Sequence, residues 1–345
     1  MRPALSPSEL VRALRDPVAL ERRSPLFGES AVWVDLGQEP PAEARAADAW
    51  GRLAELPGVA VGIACDGVAP GAAALAEALD LVVRREDERE AVRSTVERAP
   101  LASLVLVQLL RRSLAQEPSE GLLAESLAYS TLQAGPEFAA WRAGRRARKR
   151  DSDAEPAVRA RREGDELRLE LNRPHKRNAF SAEMRDALCE ALALVIQDAS
   201  LRRVVLCGAG PSFCSGGDLD EFGALPDPAT AHAIRSTRNA AALLARVAGR
   251  VEARVHGACV GAGAELPAFC RRVVAHPDAF FQLPELAFGL VPGAGGTVSL
   301  PRRIGRQRTA WLALTGWRLP AEEALAWGLV DELAAWPRRD AGAAS

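Results

Sequence analysis

Apolar positions change their period several times along this chain, and the changes divide it. After a polar, proline-punctuated start, Ser6-Pro7-Ser8-Glu9 opens a short amphipathic helix carrying Leu10, Val11 and Leu14. Ala31–Leu36, Val59–Cys65 and the shorter Leu81–Val83 are apolar runs of strand length. Between them Ala46, Trp50 and Leu53 recur at helical spacing within Ala42–Leu56, and Ala72–Leu79 reads as another helix. Residues 91–148 read as helical throughout. Leu104, Val107, Leu110 and Leu114 share a face of Leu101–Leu114. Ser119 can cap Glu120–Ala134, whose apolar positions are Leu123, Leu127 and Leu132. Gly135-Pro136 stops that helix, and Glu137–Arg148 follows with a basic end.

The second half alternates between strand and helix. It runs as strand Leu167–Leu171, loop Asn172–Phe180, a Ser181-capped helix to Asp198, strand Val204–Cys207, a long helix over about Ala229–Ala248, and strand Val251–Val255. A last helical segment carries Ile304, Ala310, Leu312 and Leu314. This alternation is that of an α/β fold. The chain divides into an N-terminal helix and connector (1–25), an α/β segment with a helical lid-like part (26–150), a linker (151–157), the main α/β unit (158–335) and a polar tail (336–345). A weak internal repeat joins the halves: VWVDL, a helix and VAVGIACDG parallel LRLELNRP, a helix and RRVVLCGAG. GAAALAEALDLVV likewise parallels GAGAELPAFCRRVV.

Composition adds bounds. The 345 residues are long enough for about two cores; 48% are hydrophobic and the net charge is −1, which gives no general attraction to nucleic acid. The six cysteines form no CxxC pair and no metal-ligand spacing, so free thiols in a reducing compartment are expected, and no metal. No apolar leader opens the chain and no apolar run reaches membrane-spanning length, so the expected location is the cytoplasm. The basic run Arg142–Arg150 reads as a solvated helix end, with phosphate contact as the alternative.

The candidate chemistry lies in Gly257–Gly296. Gly261-Ala262-Gly263-Ala264 and Pro292-Gly293-Ala294-Gly295-Gly296 are small-residue turns, and Glu265 and Glu285 are carboxylates in apolar settings. Glu265 reads as opening a helix with Leu266, Phe269 and Val273, so the turn before it leaves backbone N–H groups free. Glu285 is the only charge in Phe280–Leu290, a setting that raises a carboxyl pKa and suits proton transfer. Singly, each glutamate also reads as a cap or loop residue and each turn as only a turn. Their joint order is what is specific.

That order resembles the crotonase superfamily, the enoyl-CoA hydratase/isomerase family. Phe213-Cys214-Ser215-Gly216-Gly217-Asp218-Leu219 is similar to its first oxyanion-hole loop, and Arg173-Pro174-His175-Lys176-Arg177-Asn178-Ala179 to its coenzyme A adenine loop. Gly316 and ALAWGLVD (Ala324–Asp331) are similar to the stretch that follows its core. The resemblance implies a spiral of β-β-α units and an enzyme that hydrates an α,β-unsaturated acyl-CoA through a thioester enolate. The alternatives are an enoyl-CoA isomerase, another acyl-CoA lyase or hydrolase, or a non-catalytic acyl-CoA-binding partner. It implies Gly217 and Ala262 as oxyanion N–H donors, Glu265 as the residue that activates water and Glu285 as the proton donor to Cα. Gly293 would place an N–H near the water. Lys176, Asn178, Ala179, Asp218 and Leu219 would bind coenzyme A, which is part of the substrate, with no separate cofactor.

The resemblance also implies a homo-oligomer, a trimer or hexamer. Helices that follow the core in this family have no counterpart after Leu333. The expectation is that residues 91–148 supply the missing cover over the acyl pocket, and that residues 26–90 are a shrunken, non-catalytic copy of the same fold. Tyr129 reads as a core or interface aromatic, His256 as a satisfied core histidine, and Cys214 as packing.

Overall fold

The computed structural model describes residues 3–44, 47–145, 155–224 and 227–336. Its N-terminal part begins with helices α1 (Pro7–Arg15) and α2 (Pro17–Glu21), followed by strands β1 (Ala31–Asp35) and β2 (Val59–Ile63), helix α3 (Ala73–Ala78) and strand β3 (Leu81–Val83). Ser6 and Glu9 form a reciprocal capping box on α1. The three strands pair in parallel in the order β1-β2-β3. Between β1 and β2, the predicted helix is instead two stretches of tighter 3-10 turn, Ala42–Ala44 and Ala47–Glu55. Trp50 and Leu53 still point inward.

Four helices follow: α4 (Glu86–Arg98), α5 (Pro100–Arg112), α6 (Pro118–Gln133) and α7 (Pro136–Ala143). Each of α5, α6 and α7 starts on a proline, whose missing N–H costs nothing in a first turn. The basic end predicted for the last of them falls largely on residues 146–150, outside the described residues, as do linker residues 151–154 and the tail beyond Trp336.

The second half contains strands β4 (Val158–Glu163), β5 (Glu166–Leu171) and β6 (Arg203–Gly208), with helix α8 (Ala182–Gln197) between β5 and β6. Then come α9 (Pro228–Thr237), α10 (Ala240–Val247), β7 (Val251–Val255), β8 (Ala258–Val260), the single turn α11 (Ala262–Glu265), β9 (Arg272–Ala275) and β10 (Phe280–Gln282). Helices α12 (Gly296–Ile304) and α13 (Arg306–Thr315), strand β11 (Leu319–Pro320), helix α14 (Ala321–Trp327) and strand β12 (Glu332–Leu333) complete it. One six-stranded sheet has the order β12-β9-β7-β6-β5-β4, parallel except for the β4–β5 hairpin; β11-β10-β8 form a smaller sheet.

Two predicted helices are cut short. The long helix after the first loop is α9 and α10, broken at Arg238-Asn239, where the Asn239 side chain accepts the Ala242 N–H at 3.0 Å as a new cap. The helix predicted from Glu265 onward does not exist. Glu265 ends α11 instead of opening a helix, Pro267–Phe269 form a 3-10 turn, and Val273 lies in β9. Pro267 prevents continuation, because its ring takes the space of the preceding turn.

The N-terminal sheet is buried on both faces, as parallel sheets are. Val32, Val34 and Ala60 meet α1, Trp50 and Leu75 on one side. Val59, Val61, Leu81 and Val83 join a continuous core with Val92, Val96, Leu106 and the apolar residues of the second half. Polar contacts fasten the same seam. Arg306 and Gln307 at the start of α13 donate to the carbonyls that end α3, Arg306 to Leu79 O at 2.7 Å and Gln307 to Leu79 O at 2.8 Å. The Asp80–Arg111 ion pair, its side chains 4% and 7% exposed, is bidentate at 2.7–2.8 Å. Arg111 also donates to Leu56 O and Gly58 O, while Asp80 accepts the Ala60 N–H. Helices α4 and α5 pack on α13, and α5 and α6 on α12, so the four N-terminal helices wrap the second half.

Among the described residues no helix is long and apolar enough to cross a membrane, and no group of three His, Cys, Asp or Glu side chains has metal-site geometry.

Candidate active site

A cavity of about 220 Å³ opens between α6, α9, α10, α11 and the two glycine-rich turns. Its lining includes Gly217, Asp218, Ala262, Glu265, Glu285 and Gly293 of the residues singled out in the sequence. Lys176, Asn178, Ala179 and Leu219 do not line it. They sit in the adjoining loops, where Asn178 is a backbone staple with a left-handed φ of +54°. Its side chain accepts the Arg173 N–H at 2.7 Å and donates to Ala209 O and Ser212 O at 2.8 and 2.9 Å. The Asp218 carboxylate is already engaged by Arg173 at 2.9 Å. Lys176 donates to Asp220 at 3.1 Å.

Strand β8 brings the two loops together. The Cys214 N–H donates to Ala258 O and the Val260 N–H to Cys214 O, so the loop ending in Gly217 runs beside the one ending in Ala262. Among the described residues neither the Gly217 nor the Ala262 N–H has a hydrogen-bond acceptor, and both residues face the cavity. Side chains are excluded by geometry. A Cβ on Gly217 would lie 2.8 Å from the Phe222 ring. Gly261, at a φ of +50°, would place a Cβ 2.5 Å from Glu285 Oε1 and 3.8 Å from Glu265 Oε1. Both carboxylates therefore converge beside Gly261.

The two glutamates differ in their partners. Glu265, 2% exposed, accepts the Ala294 and Gly296 N–H groups on Oε2 at 2.8 Å each. Burial pushes its carboxyl well above the usual range, the Glu285 and Glu125 charges add to this, and the two N–H donors oppose it. Glu285 Oε2 is buried with no hydrogen-bond partner, and burial pushes this carboxyl up to about 8.

A third carboxylate was not anticipated. Glu125 of α6, 3% exposed, lines the same cavity and accepts the Gly295 N–H at 2.7 Å, the Thr297 N–H at 2.9 Å and the Thr297 hydroxyl at 2.7 Å. Burial raises its carboxyl to about 7, against the pull of those donors and of Arg235. The buried side of α6 thus carries polar groups, Glu125, Ser126 and Ser130, beside the core residues Leu122 and Leu132. Of the apolar positions predicted for it, Leu132 is buried, whereas Leu123 and Leu127 are 51% and 49% exposed. Gly121, Glu125 and Tyr129 share the opposite face at i, i+4 and i+8. Gly121 marks the close approach, since a Cβ there would meet Val298 Cγ2 at 2.8 Å.

Tyr129 is correspondingly a cavity residue. Its ring lies where a Cβ on Gly293 would fall, 2.5 Å away, and the Arg235 guanidinium stacks on it at 4.7 Å. Arg235 also donates to Gln133 Oε1 at 3.2 Å and to Ser130, tying α9 to α6. From α7, Trp141 packs edge-on against Phe222, which lines the cavity. His256 is buried with Nε2 2.8 Å from Gly210 O, and the Cys214 thiol is buried, which pushes its pKa up to about 12.

Residues 166–338 match the profile of the enoyl-CoA hydratase/isomerase family, half of the chain, and the protein belongs to that family. Its second half has the crotonase fold. It is 38% identical over 169 residues to "1,2-epoxyphenylacetyl-CoA isomerase" of Escherichia coli (strain K12), covering 48% of this chain and 64% of that protein. It is 35% identical over 170 residues to "2,3-dehydroadipyl-CoA hydratase" of the same organism, covering 48% of this chain and 65% of that protein. A solved enoyl-CoA hydratase of Mycobacterium smegmatis superposes with a TM-score of 0.50 at 35% identity, over 52% of this chain and 71% of that one. The chain thus spans just under two thirds of the length of these two curated relatives. Helix α6, with Glu125, lies outside the matched segment.

Proposed function

We propose that the protein hydrates an α,β-unsaturated acyl-CoA. The observation that carries this reading is the asymmetry between two carboxylates on one cavity. Glu265 accepts two backbone N–H bonds, which favour its charged form. Glu285 has a buried oxygen with no donor, which favours its protonated form. Burial raises both carboxyls, and their hydrogen bonds then set them apart, Glu265 toward the base and Glu285 toward the acid.

In the proposed reaction Glu265 takes a proton from water as the oxygen bonds to Cβ. The π electrons move toward the thioester carbonyl, whose oxygen gains charge between the Gly217 and Ala262 N–H groups. The proton of Glu285 bonds to Cα, leaving a β-hydroxyacyl thioester, and the proton now on Glu265 returns to Glu285 by way of solvent. Loss of one such oxyanion donor costs about 3 kcal/mol of transition-state stabilisation. The cavity accommodates the acyl head, and the loop carrying Lys176, Asn178 and Ala179 would take the nucleotide end of coenzyme A, with Asp218 and Leu219 beside the pantetheine. Gly293 supplies cavity surface beside Glu265, with its N–H near the water.

The test is loss of the conjugated-thioester absorbance with a panel of short, medium-chain and aromatic enoyl-CoAs, with Glu265→Gln and Glu285→Gln alongside. Turnover that collapses in both variants supports the reading. A wild type that instead gains conjugated absorbance from a 3-enoyl-CoA, and loses this only in one variant, would replace it with the isomerase reading.

A further inference from the structure

Four successive amides open helix α12, and their acceptors alternate. The Ala294 and Gly296 N–H groups donate to Glu265; the Gly295 and Thr297 N–H groups donate to Glu125. Two carboxylates from different parts of the chain therefore grip one turn from either side. Ser, Thr, Asp or Asn just before the helix is the usual cap for such a terminus. Here the second cap is a carboxylate from a distant helix, almost out of water, and all three of its partners donate to it, which favours its ionised form.

We propose that Glu125 is a positioning residue of the two-glutamate site. It fixes the turn that holds Glu265, and its charge stands behind Glu265 and Glu285. The proposal rests on the hydration reading above. The charged and titratable groups that face Glu125 are Arg235 and, through Ser126, His232 from α9, Glu265 from α11, Glu285 from the turn after β10, and Tyr129 from its own helix. Of these Arg235 alone is a permanent cation, and it stacks on Tyr129. A negative Glu125 makes ionisation of Glu285 and Glu265 harder, so it keeps the proton on the acid up to higher pH.

The experiment is the pH profile of kcat/KM for wild type, Glu125→Gln and Thr297→Val, with folding followed by circular dichroism and melting. Glu125→Gln should lower kcat/KM at least tenfold and move both limbs of the profile to lower pH by about one unit. Thr297→Val removes the hydroxyl donor that favours charged Glu125, and should move the limbs the same way by less. Limbs unmoved in a folded Glu125→Gln overturn the proposal; if that variant does not fold, unmoved limbs in Thr297→Val do so. A wild type inert toward every enoyl-CoA would sink the hydration reading instead. Amide exchange over Ala294–Thr297 then decides: faster exchange in Glu125→Gln sustains the positioning role, and unchanged exchange overturns it.

Discussion

Asp80 and Arg111, beneath the N-terminal sheet, and the three glutamates around the cavity are all ionisable groups taken out of water, but they are satisfied to different degrees. Asp80 meets Arg111 through both oxygens and accepts a backbone N–H, and Arg111 spends its remaining donors on two carbonyls. At the cavity Glu125, Glu265 and Glu285 crowd together, and one carboxylate oxygen of Glu285 has nothing to bond. A saturated pair holds two layers together, while an unsaturated cluster has capacity left for a proton and a substrate. Buried ionisable groups occur in both clusters; what differs between these two is the hydrogen-bonding capacity left unmet.

Substitutions at each cluster sharpen that contrast. Glu265→Gln and Glu285→Gln should each lower kcat with an enoyl-CoA by about 10²–10⁴-fold, the range for a lost general acid or base, in a direct hydration assay. Arg111→Met should leave Asp80 buried without its partner and cost about 3–5 kcal/mol in urea unfolding, with little effect on KM in the fraction that folds. Gly293→Ala forces a methyl group into the Tyr129 ring, costing about 1–3 kcal/mol, and Tyr129→Leu should restore part of that in a double-mutant cycle.

A further effect is on stability against pH. Glu285 has an ordinary value of 4.5 and is raised to about 8, so between these values the native state holds a proton that the unfolded chain has lost. Its contribution to stability is full below about pH 4.5 and declines as pH rises toward 8. Glu285→Gln should therefore melt progressively higher than wild type across that window, while being inactive. Equal melting temperatures at pH 8 and above would show that Glu285 is not held protonated.

The sequence made Glu265, Glu285, Gly217 and Ala262 visible because each lies within a short motif whose order is specific. The strands were legible for a similar reason, since β-branched runs such as Val59–Ile63 declare themselves locally. Glu125 was not legible. Its partners lie 170 and 172 residues away, and of the three leucines that mark an apolar face on its helix only Leu132 is buried, while Leu123 and Leu127 are half exposed. Gly121, in the first turn of α6 and at i−4 from Glu125, is the one local sign of close packing there. The helix assigned after Glu265 failed because apolar spacing was given more weight than Pro267. Lys176, Asn178, Ala179 and Leu219 belong to loops beside the cavity, where motif likeness indicates a role and the cavity lining does not.

The polar groups on the inner side of α6 also bear on how the chain is made. Synthesis runs from the N-terminus, so α6 emerges long before the turn it will grip, and joining the two requires closing a loop of about 170 residues. Glu125, Ser126 and Ser130 put water-compatible groups beside Leu122 and Leu132 on the surface that waits for that turn, which leaves less apolar area bare than a wholly leucine face would. Glu125 and Ser126, which line the cavity in the finished protein, are thus also groups that the unfinished chain can leave in water.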